Sequence, residues 1–119
     1  MEAIDVAKKI ESKISMISKM RGQLADRAER KSIAISTYEK ILAITMIKLK
    51  NGEEMILEGQ LIINPQATIL EKIAKGLCWK EKLELELAES SYKSLITNLD
   101  CIQAELNGLQ SINKHLDNL

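Results

Sequence analysis

Asn51-Gly52-Glu53-Glu54-Met55-Ile56-Leu57-Glu58-Gly59-Gln60-Leu61-Ile62-Ile63-Asn64 divides this sequence into two helical halves, and its reading decides the fold. Asn51 and Gly52 both tolerate the left-handed backbone at which a helix stops. Two short apolar runs follow, Met55 to Leu57 and Leu61 to Ile63, and they flank Glu58-Gly59-Gln60. Apolar runs of strand length around a glycine-bearing turn predict a small β-hairpin. A hairpin turning at Asn51-Gly52 instead would pull Ile47 to Leu49 out of the preceding helix. The first version is preferred because the helical pattern continues through Leu49. Asn64-Pro65 then opens the second helix: asparagine caps free amides, and proline at the first helical position loses no hydrogen bond.

Upstream of this connector, alternate steps of four and three from Ala3 pass through Ala7, Ile10, Ile14, Ile17, Arg21, Leu24, Ala28, Lys31, Ile35, Tyr38, Leu42, Thr45 and Leu49. The seam is apolar except at Arg21, Lys31 and Thr45, and predicts a helix over about 3–50. Downstream, the same stepping gives Ala67, Glu71, Ala74, Cys78, Glu81, Leu85, Ala88, Tyr92, Leu95, Leu99, Ile102, Leu106, Leu109, Asn113 and Leu116. This predicts a helix over about 65–117, with Gly76 as the point where it kinks or breaks. The expected fold is therefore all-α dominated: two long antiparallel helices joined by a short loop or small β-hairpin, forming one elongated helical-hairpin domain over 1–119.

Charge supports that pairing. Residues 1–50 carry 11 basic and 6 acidic side chains, net +5, and residues 51–119 carry 6 and 11, net −5. With Lys50 beside Gln66, the basic run Arg27, Arg30 and Lys31 falls opposite Glu84, Glu86 and Glu89. Apolar residues off the two seams, among them Ile4, Met16, Met20, Ile33, Ile44, Leu77, Leu83, Leu87 and Ile112, need cover that a two-helix hairpin lacks. A homo-oligomeric bundle, dimer or tetramer, is the expected source.

Composition narrows the function. The chain has 119 residues, 17 basic and 17 acidic side chains, 45% apolar residues and 3% aromatic, with no Phe. Balanced charge argues against coating nucleic acid or an acidic membrane by bulk attraction. No run approaches the ~18 apolar residues of a membrane span, and Met1 to Asp5 lack the pattern of a secretion signal, so a cytoplasmic location is expected. Cys78 and Cys101 would lie ~35 Å apart on one continuous helix, too far for a disulfide.

Catalytic and metal-binding patterns are lacking. The single histidine, His115, sits at a helix end, where it serves the helix dipole. Two cysteines and one histidine at these spacings do not converge on a zinc ion, and Glu81, Glu84, Glu86 and Glu89 lack the Glu-x-x-His pairs of carboxylate-bridged metal bundles. No phosphate-binding loop or nucleophile elbow occurs. A non-enzymatic protein without a cofactor is expected.

Two binding surfaces remain. Met55, Ile56, Leu57, Leu61 and Ile62 crowd large apolar groups into the connector, and Trp79, the lone tryptophan, lies just beyond Gly76. Aromatic and apolar anchors of this kind recur in binding hot spots, although the same residues would also serve as packing. Lys19, Arg21, Arg27, Arg30 and Lys31 form the densest basic cluster, and Lys19, Arg27, Arg30 and Lys31 are candidates for phosphate contact. They lack interleaved aromatics for base stacking, and the acidic run of the second helix is positioned to neutralise them.

The stretches Tyr38-Glu39-Lys40, Lys48 to Glu54, Ile73 to Glu81 and Ala104 to Ile112 together resemble small uncharacterised helical proteins of phages and prophages of Gram-positive bacteria. That resemblance implies a mobile-element origin and carries over no functional residue. The outline of helix, small hairpin and helix is also similar to prefoldin subunits, in architecture alone. The expected function is a protein-interaction module that binds and modulates a larger host or phage protein, for example of replication, recombination or defence machinery. The alternative is a nucleic-acid-binding accessory protein using the basic face of the first helix.

Overall fold

The computed structural model describes residues 2–118. Along the chain come α1 (Ala3–Lys50), β1 (Met55–Leu57), β2 (Gln60–Ile62), α2 (Ala67–Leu77) and α3 (Trp79–Asp117). The helix-dominated fold with a small hairpin agrees with the sequence pattern, and the first helix ends where its spacing places it. The chain divides into two units: Met1–Ala28 with Ser90–Leu119, and Glu29–Glu89. Among the described residues no helix is long and apolar enough to cross a membrane.

In the first unit, Val6, Ile17, Leu95 and Leu106 are buried between α1 and α3 segments. Lys13 Nζ lies 2.5 Å from Glu105 Oε2, and Arg27 Nη1 donates to the Ser91 carbonyl at 3.0 Å. Partner numbers fall on α3 as they rise on α1, so these segments run antiparallel. The expected register sets Arg27 beside Glu89; the observed partner, Ser91, is two residues along. From Ile17 onward the expected seam holds except at Arg21, which is exposed, but before it the inward positions are Val6, Ile10 and Lys13, whereas Ala7 and Ile14 are exposed. A helix of 3.6 residues per turn drifts against a 3.5-residue repeat, and the larger Val6 takes the inward position in place of Ala7. Lys13 lays its stem in the seam and reaches Glu105 with its ammonium, as long cations do beside an apolar surface.

Gly108 lies in the interior of α3, and a Cβ built there meets nothing within 4 Å. Gly108→Ala is therefore expected to stabilise the chain by about 1 kcal/mol, the helix-propensity difference between the two residues. A denaturant midpoint that fails to rise would show that another surface packs against this backbone.

In the second unit, Thr45, Leu49, Ala74, Cys78, Leu85 and Ala88 are buried. Thr45 Oγ1 and Cys78 Sγ lie 3.4 Å apart, which gives this buried hydroxyl a hydrogen-bond partner. α1 stops on a pair of hydrogen bonds: Gly52 N–H donates to the Leu49 carbonyl at 3.1 Å and Glu53 N–H to the Lys48 carbonyl at 3.0 Å. This is a Schellman stop, with Gly52 at φ 80 in the left-handed position that favours glycine.

β1 and β2 pair antiparallel with Met55 opposite Ile62, Ile56 opposite Leu61 and Leu57 opposite Gln60. The turn is narrower than the three residues expected. Glu58 (φ 51) and Gly59 (φ 77) alone form it, and positive φ at both central positions is the two-residue geometry that matches strand twist. Gln60 joins the second strand and Ile63 falls outside it.

The second helical half departs from a single helix over 65–117. Asn64 stands at φ 43 and does not cap. Pro65 lies outside the helix, and the N-cap position goes to Gln66, which makes no side-chain capping bond. The Asn64 side chain turns instead toward the α1 stop, its Oδ1 3.0 Å from where a Cβ on Gly52 would sit. The helix is then interrupted at Cys78 (φ −95, ψ 24), two residues after Gly76. The interruption is a bend and not a separation. Cys78 N–H still donates to the Ala74 carbonyl at 3.1 Å, and Lys82 N–H to the Cys78 carbonyl at 3.0 Å. Gly76 matters through its neighbour: Leu57 Cδ2 of the hairpin lies 3.2 Å from where its Cβ would be, so a missing side chain lets β1 settle on α2.

Candidate functional site

The hairpin has two unlike faces because successive strand residues point to opposite sides. Met55, Leu57 and Ile62 are half-buried, with Leu57 resting against Gly76. Ile56 and Leu61, directly opposite one another, are 69% and 59% exposed. Ile63 just beyond is exposed too. The candidate docking residues thus separate: Met55, Leu57 and Ile62 are half-buried, with Leu57 seating the hairpin on α2, while Ile56 and Leu61 present an apolar pair to solvent. Strand alternation in the sequence already carries this division.

Trp79 is the first residue of α3 and is 49% exposed. Lys80 Nζ lies 5.6 Å from its ring centroid, a weak cation–π contact at an exposed site. By helical spacing Trp79 shares a face with Leu83 and Leu87, which are likewise exposed, and that face is opposite the buried Cys78, Leu85 and Ala88.

The basic candidates have unlike settings. Lys19 and Arg30 are exposed, Arg27 and Lys31 half-buried. Arg27 is engaged with the Ser91 carbonyl in place of the expected acidic run. Arg30 lines an open groove of about 200 Å³ with Ile33, Ala34, Thr37, Glu81 and Glu84, so two of its groove neighbours are acidic. Glu86 lies 3.9 Å from Lys82, one helical turn away. Lys82 Nζ also sits 5.3 Å from the Tyr38 ring centroid on α1.

Cys78 is buried and Cys101 exposed, and both are free thiols. His115 lies in the last turn of α3 with Lys114, where positive charge suits the helix dipole. Among the described residues no group of three or more His, Cys, Asp or Glu side chains converges as a metal site. No protein-family model, curated protein or solved structure matches this chain.

Proposed function

We propose that this chain is a non-enzymatic protein-interaction module whose hairpin docks on and modulates a larger host or phage protein. The observation that carries the reading is the outward Ile56–Leu61 pair. Large β-branched and aliphatic side chains opposite one another on a two-stranded sheet gain nothing by facing water, and burial of each at a contact is worth roughly 1.5–3 kcal/mol. Their inward counterparts fix the hairpin on α2, so the presenting surface is held before any partner arrives, which lowers the ordering cost of binding.

Arg27 and Arg30 weigh against a phosphate-binding surface, the one committed to a backbone carbonyl and the other beside Glu81 and Glu84. The test is capture from bacterial lysate on the immobilised chain, with and without nuclease. A stoichiometric protein retained after nuclease is the expected result. Capture that disappears with nuclease would replace this reading with nucleic-acid binding through the Lys19 to Lys31 surface.

A further inference from the structure

The stripe formed by Trp79, Leu83 and Leu87 has a property the hairpin lacks. These residues are spaced by four along α3 and are 49%, 47% and 52% exposed. The sequence across the stripe reads Lys80-Glu81-Lys82-Leu83-Glu84-Leu85-Glu86. On the exposed side, two lysines precede Leu83 and two glutamates follow it, for Leu85 is buried and Glu81 half-buried. The segment is therefore its own charge complement when reversed about Leu83.

From this we infer that α3 pairs with α3 of a second copy, antiparallel, about a two-fold axis passing beside Leu83. In that arrangement the two Leu83 side chains meet, and each Trp79 lies against Leu87 of the partner subunit. Lys80 and Lys82 of each copy face the Glu84–Glu86 half of the other. Parallel pairing would set lysine on lysine and glutamate on glutamate, which is unfavourable, so charge selects the antiparallel direction. A two-fold contact uses the same patch on both copies, and a patch complementary to its own reverse meets that requirement. Within the chain these charges have intrachain neighbours but stay exposed: Lys82 lies 3.9 Å from Glu86 and 5.3 Å from the Tyr38 ring, Lys80 5.6 Å from the Trp79 ring, and Glu84 shares a groove with Arg30.

The α3 pairing uses residues distinct from Ile56 and Leu61, so it stands or falls separately from the docking reading above.

The test uses the full chain in sedimentation equilibrium, with Trp79 fluorescence followed on dilution. Wild type is expected at twice the 13.4 kDa chain mass, with tryptophan emission moving to longer wavelength as dilution separates the copies. K80E/K82E makes both halves acidic and E84K/E86K makes both basic. All four sites are exposed and every replacement is a good helix former, so helicity survives. Each variant alone is expected to be monomeric, and a 1:1 mixture to recover the mass of two chains, since every cross-contact then joins opposite charges. A monomeric wild type would overturn the inference. So would variants that still dimerise, or a mixture that stays monomeric.

Discussion

Leu49→Ala is expected to lower the unfolding free energy by about 3 kcal/mol, within the range for removing a buried leucine side chain. Leu49 is 1% exposed. It stands at the last turn of α1, and with Met46, Asn64, Pro65, Ala67 and Leu70 it lines the junction where α1 and the start of α2 meet. Removing three carbons there leaves a void beside the Schellman stop, in which the Leu49 carbonyl itself accepts from Gly52 N–H. Ile47, two positions earlier, is 59% exposed, and Ile47→Ala is expected to change stability by less than about 0.5 kcal/mol. Denaturant unfolding of both variants at one protein concentration, followed by helical circular dichroism, measures the contrast. Equal effects at the two positions would mean that the inward face of α1 is not the one described.

Gly52→Ala is expected to cost about 1–2 kcal/mol, the penalty of a β-carbon in left-handed backbone. The close approach adds to it. An added Cβ would sit 3.0 Å from Asn64 Oδ1, so the Asn64 side chain must shift to admit it. Two companion variants separate the causes. Gly52→Asn keeps a residue that populates left-handed backbone and is expected to lose less through conformation. Asn64→Ala in the Gly52→Ala background removes the crowding oxygen and leaves the backbone penalty. Denaturant midpoints read all three. A Gly52→Ala chain as stable as wild type would contradict the Schellman stop.

Much of this fold is legible from spacing. The three- and four-residue steps from Ile17 to Leu49 and from Ala74 to Leu116 fall on buried or half-buried positions, except at Arg21, because a helix packed along its length must present one face. Asn51-Gly52 marks the α1 stop for a local backbone reason, and the hairpin follows from strand-length apolar runs around Gly59. The departures come from contacts between segments distant in sequence. Asn64-Pro65 has the composition of a helix start, yet Asn64 is drawn to the α1 stop and the helix begins after it. Gly76 suggests a break, but only Leu57 settling on it explains why β1 lies against α2, and the bend falls at Cys78. Neither contact leaves a local signature.

The proposed docking surface is partly legible in the same way. Crowding of apolar residues in the connector identifies the hairpin as a candidate, and strand alternation separates Ile56 and Leu61 from Met55, Leu57 and Ile62. Trp79 draws notice as the lone tryptophan, although its neighbours on the helix face, Leu83 and Leu87, explain it better than its closeness in sequence to Gly76. The basic cluster reads as a partner of the acidic run because sequence does not show that the Arg27 guanidinium goes to a backbone carbonyl.

The most direct test of the docking reading compares wild type with Ile56→Asp/Leu61→Asp in nuclease-treated capture, with helical circular dichroism recorded on both proteins. Both side chains point to solvent, so the variant is expected to keep its helicity and lose the retained protein. Retention of the same protein in the same amount by a fully helical variant would contradict the claim that this hairpin face is the docking surface.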